Sequence, residues 1–236
     1  MPLDKHASIT ITAYDWVPDF ARGLVRDLRV RWALEEVGLD YRVEYLPQGT
    51  QKMPPHRRRQ PFGQVPTYEE GDLTLFESGA IVLHIADRAP GLLPGGPDAR
   101  ARATQWVIAA LNTIEPHLSD WALATIFEAG EPWSLPRKPA IRERIDERLG
   151  ELSARLGTND WLEGDFCVGD LVMVATLQQV DDELADLFDR YPNLADYRAR
   201  GEARPAYRRA LQDHLAGFTG SPPPGWAEDQ EKEALS

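Results

Sequence analysis

The 236-residue sequence predicts an α+β fold: a small βαβ-ββα unit at the N-terminus, followed by an all-α helical bundle. Three observations carry this. Residues near positions 9–14, 41–45, 65–68 and 73–76 read as short strands, with a helical stripe between the first two. A Pro- and Gly-rich stretch, Ala89 to Pro97 (APGLLPGGP), then breaks the chain. Beyond it nothing alternates convincingly, and only helical stripes remain.

Ile9, Ile11 and Ala13 alternate with Thr10, Thr12 and Tyr14, the pattern of a strand. From Leu24 to Val37 the period becomes helical. Val30, Ala33, Leu34 and Val37 share one face, Arg26, Asp27, Arg29, Arg31, Glu35 and Glu36 supply the charges, and Gly38 is the stop. Tyr41, Val43 and Tyr45 alternate with Arg42 and Glu44 until Pro47 ends the second strand. Pro61 to Gly63 interrupts again. Val65 to Tyr68 and Leu73 to Phe76 form two strands joined by a turn at Glu70-Gly71-Asp72, and Ser78 caps a helix over Gly79 to Ala86. A βαβ unit followed by a hairpin and a helix is the thioredoxin-like arrangement.

The expected domains are 1–88, a linker at 89–98, a helical domain at 99–220, and a Pro-rich then acidic tail at 221–236 that is mobile unless it folds back over a cleft. Helical stripes run over Ala99 to Ile114, Ala140 to Leu156, Asp170 to Val180 and most of Leu194 to Leu215, with Pro116, Pro132, Pro136 and Pro192 as punctuation. There are no internal repeats.

Composition narrows the function classes. Asp plus Glu outnumber Lys plus Arg by 38 to 26, a net charge of −12, which argues against a nucleic-acid backbone or an anionic membrane as partner. The single cysteine, Cys167, excludes an internal disulfide and a Cys-based metal cluster and points to a cytoplasmic location. Met1 to Ile9 lacks the apolar core of a signal peptide. No run reaches the roughly 18 apolar residues of a membrane span. The five histidines do not fall at metal-ligand spacing, so no metal is expected.

Two stretches carry a family resemblance. Gln60 to Asp87, QPFGQVPTYEEGDLTLFESGAIVLHIAD, resembles the glutathione-site half of the cytosolic glutathione transferases: NPxGxVPxL, then an acidic residue and a serine opening a helix. Tyr191 to Leu211, YPNLADYRARGEARPAYRRAL, is similar to the last helices of the same family. The resemblance spans about residues 8–216 and is expected to be of bacterial type, its class open. It implies that Pro66 is a cis-proline presenting the Val65 backbone to the cysteinyl part of glutathione as an added strand. It also implies that Glu77 accepts from the γ-glutamyl ammonium, and that Ser78, at a helix N-terminus, donates to that residue's carboxylate. Gln64 is a neighbour. Taken from the residues alone, these are an ordinary hairpin and an ordinary capping serine.

Such an enzyme must ionise a thiol of pKa about 8.5. Lowering that value by two units takes about 2.7 kcal/mol, which a helix N-terminus and one hydrogen-bond donor can supply. The segment from Tyr14 to Glu36, YDWVPDFARGLVRDLRVRWALEE, holds neither serine nor cysteine. Tyr14-Asp15-Trp16 followed by Arg22-Gly23-Leu24 resembles the family's tyrosine-type pattern with extra residues between. Tyr14 is therefore the first candidate for thiol activation, with packing beneath the sheet as its alternative. Arg26 is the second, against a solvated arginine.

Other residues take smaller parts. Trp16 either walls the cleft or fills space. Trp106 and His117, with Trp121 nearby, lie on or near the helix that in the family faces the second substrate, and core packing explains Trp106 equally well. His56-Arg57-Arg58-Arg59 either attracts the glycine carboxylate of glutathione or is a solvated loop. Phe166 to Leu171 imperfectly matches a helix-capping box, with Asp170 in place and Cys167 a weak acceptor.

The expectation is a detoxifying glutathione transferase, homodimeric, with glutathione as co-substrate and a small hydrophobic electrophile as the second partner. A glutathione-dependent reductase, peroxidase or dehalogenase on the same fold is the nearest alternative. A non-catalytic interaction protein is the third, and the presence of Pro66, Glu77 and Ser78 speaks against it.

Overall fold

In the computed structural model, residues 3–226 are described. Contacts divide the chain into two compact units, one holding the chain up to Leu92 together with the segment from Arg204, the other Leu93 to Ala203.

The first unit opens with β1 (Ile9–Tyr14), α1 (Asp27–Val37), β2 (Tyr41–Leu46) and a single helical turn, α2 (Pro54–Arg57). It continues with β3 (Thr67–Glu70), β4 (Leu73–Phe76) and α3 (Ser78–Arg88). The four strands form one sheet in the order β2-β1-β3-β4. β2 runs parallel to β1, while β3 is antiparallel to both β1 and β4. Ile9, Ile11 and Ala13 are buried as the alternation predicts, and Thr12 is buried on the opposite face. The Thr12 hydroxyl accepts from the Thr67 N–H at 2.7 Å, tying β1 to the start of β3.

The second unit comprises α4 (Pro97–Ala109), α5 (Glu115–Ala122), α6 (Ser134–Leu156), α7 (Val168–Leu177), α8 (Ala185–Arg190) and α9 (Pro192–Glu202). Every residue of α7 is buried, as expected of a helix that is apolar all round. Its capping box is complete. The Asp170 carboxylate accepts from the Cys167 N–H at 2.9 Å and, through its other oxygen, from the Leu162 N–H and the Tyr197 hydroxyl. Among the described residues, no helix is long and apolar enough to cross a membrane. The chain then returns to the first unit as α10 (Pro205–Ala216), which packs on α1.

Several boundaries differ from the sequence reading. α1 begins at Asp27 rather than Leu24, because Gly23, at φ 84°, turns the chain just before it. β3 starts at Thr67, after the cis Val65–Pro66 peptide. Ser78 is the first helical residue of α3, and Glu77 occupies the cap position. Pro116 does not end the helix before it. A π turn over Ala110–Ile114 widens the backbone so that a residue without an N–H fits, and the path continues into α5. The stripe over 194–215 is two helices, parted ahead of Pro205. The expected helical domain of 99–220 loses its last helix to the first unit. Of the expected tail, residues 221–226 are described, whereas its acidic end, 227–236, lies outside the described residues.

Candidate functional site

The sheet register brings Tyr14, Pro66 and Glu77 to one end of the sheet. β1 pairs with β3 through Thr10 and Glu69 and through Ile11 and Tyr68, so the Tyr14 end of β1 faces the segment leading into Thr67. Thr67 also pairs with Phe76, so Pro66 and Glu77 flank the same end of the hairpin. Tyr14 pairs with Leu46, which brings the chain after β2 there as well. The site is thus built from the ends of β1, β2 and β4, the start of β3, and the N-termini of α1 and α3.

The Val65–Pro66 peptide is cis, and both residues are buried. Gln64 is held on three atoms: Gln60 Oε1 accepts from its N–H at 3.2 Å, Gln60 Nε2 reaches its side-chain oxygen at 3.4 Å, and His56 Nε2 lies 2.7 Å from its carbonyl. Gly63 has φ 63°, and a Cβ there would come within 2.9 Å of the Gln51 carbonyl, so only glycine lets the loop pass. Glu77 is the sole non-glycine residue with positive φ among the described residues, at 70°. That backbone turns its exposed side chain outward and opens α3 with buried Ser78. The arrangement offers an extended peptide a strand-like edge at Val65, a carboxylate at Glu77, and a helix N-terminus with a hydroxyl for an anion.

Tyr14 is half-buried at the end of β1. Its phenol pKa is raised by burial and by the charge of Asp27, against the opposing effect of a hydrogen bond from the Gln51 side chain. Gln51 Oε1 accepts from the Gly49 N–H at 2.8 Å, so the group Gln51 has left to offer the phenol is its amide N–H donor. The phenol therefore stays protonated, and its O–H is suited to donate. Arg26 is exposed at the residue before α1. Trp16 is half-buried, accepts through its carbonyl from Gln48 at 3.1 Å, and meets Trp226 edge-on with centroids 5.3 Å apart.

Trp106 and His117 belong to the second unit. The Trp106 indole donates to Glu163 at 2.8 Å, with Arg155 over its ring at 5.6 Å. It lines a cavity of about 180 Å³ with Ile114, Leu152 and Met173. Trp106 is half-buried and bonded within the helical unit. His117 is half-buried on α5.

The basic run divides rather than acting as one patch. His56 is buried, Arg59 pairs with Glu44 and Glu69, and Arg57 and Arg58 are exposed. The sequence reading missed Gln51 and Asp27 beside Tyr14, as well as the cluster beneath α1. There, Arg31 and His214 both bond Asp27 Oδ2, at 2.8 and 3.1 Å. A signal existed for His214, since Tyr207, Ala210 and His214 share a helical face and all are buried.

Residues 11–87 match the family described as glutathione S-transferase, N-terminal domain. Glutathione S-transferase 4 of Zea mays is 33% identical over 219 residues, 87% of this chain and 94% of that protein. Glutathione S-transferase F11 of Arabidopsis thaliana is 32% identical over 69% of this chain and 80% of its own length. A glutathione transferase from Burkholderia graminis, solved with two glutathione molecules per subunit, superposes with a TM-score of 0.75 at 25% identity, covering 86% of this chain and 87% of that one. Both curated relatives are plant proteins, where a bacterial type was expected.

Proposed function

Because the chain belongs to the glutathione S-transferase family, we propose that it conjugates the glutathione thiolate to a small hydrophobic electrophile. One observation carries the reading: the register gathers Val65–cis-Pro66, the Glu77–Ser78 opening of α3, and Tyr14 at one end of the sheet. Val65 pairs with the cysteinyl backbone. Glu77 and Ser78 hold the γ-glutamyl ammonium and carboxylate, with Gln64 beside them. Tyr14 donates to the sulfur, the thiol proton leaves to solvent, and the sulfur displaces a leaving group such as halide from carbon. Trp16 lines the electrophile's side.

The reading includes a homodimer, supported by exposed Phe62 set edge-on to Phe76 at 6.1 Å, an apolar pair suited to a second copy. It includes a cytoplasmic location, supported by the single cysteine, and a detoxifying role that follows from the proposed conjugation of electrophiles.

Isothermal titration with glutathione, beside Ser78→Ala, is the test. Micromolar to low-millimolar binding that the variant weakens, with turnover of an activated aryl halide, supports the proposal. Binding with turnover only of hydroperoxides or disulfides replaces transfer with peroxidase or reductase chemistry. No binding by the wild type sinks the reading.

A further inference from the structure

His56 comes from a run that reads as surface charge, yet it is only 1% exposed. Its ring sits between two partners of opposite kind. Nδ1 lies 3.4 Å from Arg59 Nη2 and Nε2 lies 2.7 Å from the Gln64 carbonyl. A guanidinium has no acceptor, so Nδ1 must accept from Arg59. In the neutral ring the proton is then on Nε2, which donates to Gln64.

Arg59 is itself fixed. Its Nη1 and Nη2 reach the two Glu44 oxygens at 2.5 and 3.0 Å, and Nη1 also reaches Glu69 at 2.8 Å. Glu44 lies on β2 and Glu69 on β3, the strands on either side of β1. A chain of hydrogen bonds therefore runs from the sheet through Arg59 and His56 to one carbonyl.

That carbonyl belongs to the same planar unit as the Val65 N–H. The Gln64–Val65 peptide is trans, so its C=O and N–H point in opposite directions. Gripping the Gln64 carbonyl on the protein side aims the Val65 N–H the other way, toward a peptide lying along that edge.

We infer that His56 is a positioning residue for glutathione: the Glu44/Glu69–Arg59–His56 relay orients the Gln64–Val65 peptide that pairs with the cysteinyl backbone. The inference rests on the proposed function, and it gives His56 no contact with the ligand. Exchange of His56 for an apolar residue frees the carbonyl to rotate, and the Val65 N–H rotates with it. Glutamine places an amide donor about where Nε2 stands and keeps the grip. Arg59 acts only through His56, so its replacement matters only while the imidazole is present.

The test measures glutathione affinity, kcat at saturating glutathione, and melting temperature for the wild type, His56→Leu, His56→Gln, Arg59→Gln and the His56→Leu/Arg59→Gln double variant. His56→Leu is expected to raise the glutathione Kd about tenfold with kcat nearly unchanged, and His56→Gln to recover most of it. Arg59→Gln is expected to raise Kd about threefold alone and to add nothing in the His56→Leu background. Should His56→Leu fail to fold, His56→Gln against Arg59→Gln carries the comparison, with His56→Gln expected to bind more tightly than Arg59→Gln and equal or reversed affinities overturning the relay. A wild type that binds while both His56 variants bind equally well, or equally weakly, overturns the relay. A wild type that does not bind overturns the proposed function instead.

Discussion

Asp27 Oδ2 and His214 Nδ1 lie 3.1 Å apart, although 187 residues of chain separate them. Both side chains are 1% exposed, and Arg31 Nε donates to the same oxygen at 2.8 Å. The contact anchors α10 on α1 through a buried hydrogen bond as well as by the edge-on packing of Trp32 and Tyr207. A buried ion pair adds little over an apolar pair, but removing one member leaves the others unmatched.

Asp27→Asn is therefore expected to lower stability at neutral pH by about 3 kcal/mol. Burial pushes the Asp27 carboxyl up, but His214 and Arg31 outweigh it and hold the pKa below the ordinary value. The stability from the ionised form is complete above the unfolded pKa of about 3.9 and is lost as pH falls through the lower folded value. Urea unfolding over a pH series reads both effects. The wild type should weaken on acidification below about pH 4, and the variant, already weaker, should show a shallower decline. Equal midpoints at pH 7 would contradict the account.

Tyr14→Phe removes one hydrogen bond to the developing thiolate. That is expected to cut kcat by about tenfold to a hundredfold, corresponding to roughly 1.5–3 kcal/mol for a bond to a charged group. The pKa of bound glutathione should rise by about one to two units, moving the acid limb of kcat to higher pH. Ultraviolet titration of the thiolate in the complex measures this directly. An unchanged profile would assign thiol activation elsewhere, with Arg26 next in line.

Glu77 holds a backbone angle that side chains rarely adopt, φ 70°. Glu77→Gly should relieve that strain, gaining about 1 kcal/mol and raising the melting temperature by about 2–4 °C. The same change removes the carboxylate proposed to bind the γ-glutamyl ammonium, so glutathione binding should weaken. Calorimetry and titration on one sample expose the opposition. A variant that is both less stable and unaffected in binding would refute it.

Cys167 should be inert. Burial and the nearby Asp170 carboxylate push its thiol up to about 12. Iodoacetamide at pH 8, followed by mass spectrometry, should leave the native protein unlabelled and label it only after unfolding. Asp170→Ala strands two N–H groups and the Tyr197 hydroxyl. It should cost about 3 kcal/mol or more and let labelling proceed in native buffer.

The parts of this protein legible in sequence are those governed by local rules. Alternation of Ile9, Ile11 and Ala13 marked β1, Gly38 ended α1, and Glu70-Gly71-Asp72 closed the hairpin, because period and turn chemistry act within a few residues. Val65-Pro66 and Glu77-Ser78 stood out only through the family resemblance, since by local rules alone they are an ordinary hairpin and an ordinary capping serine. The register between Thr67 and Phe76 then needed only a short turn to bring them together.

Tertiary structure decided the rest. Nothing local tells that His56 of a basic run is buried against Gln64, or that Arg59 bridges strands on both sides of β1. Nor does it tell that the segment from Arg204 returns to lay His214 on Asp27 and Trp226 on Trp16. A charged or aromatic side chain has no preferred partner along the chain. Its partner is whichever group the packed elements leave within about 3 Å for a hydrogen bond, a matter settled only when strands and helices from distant parts of the sequence have met.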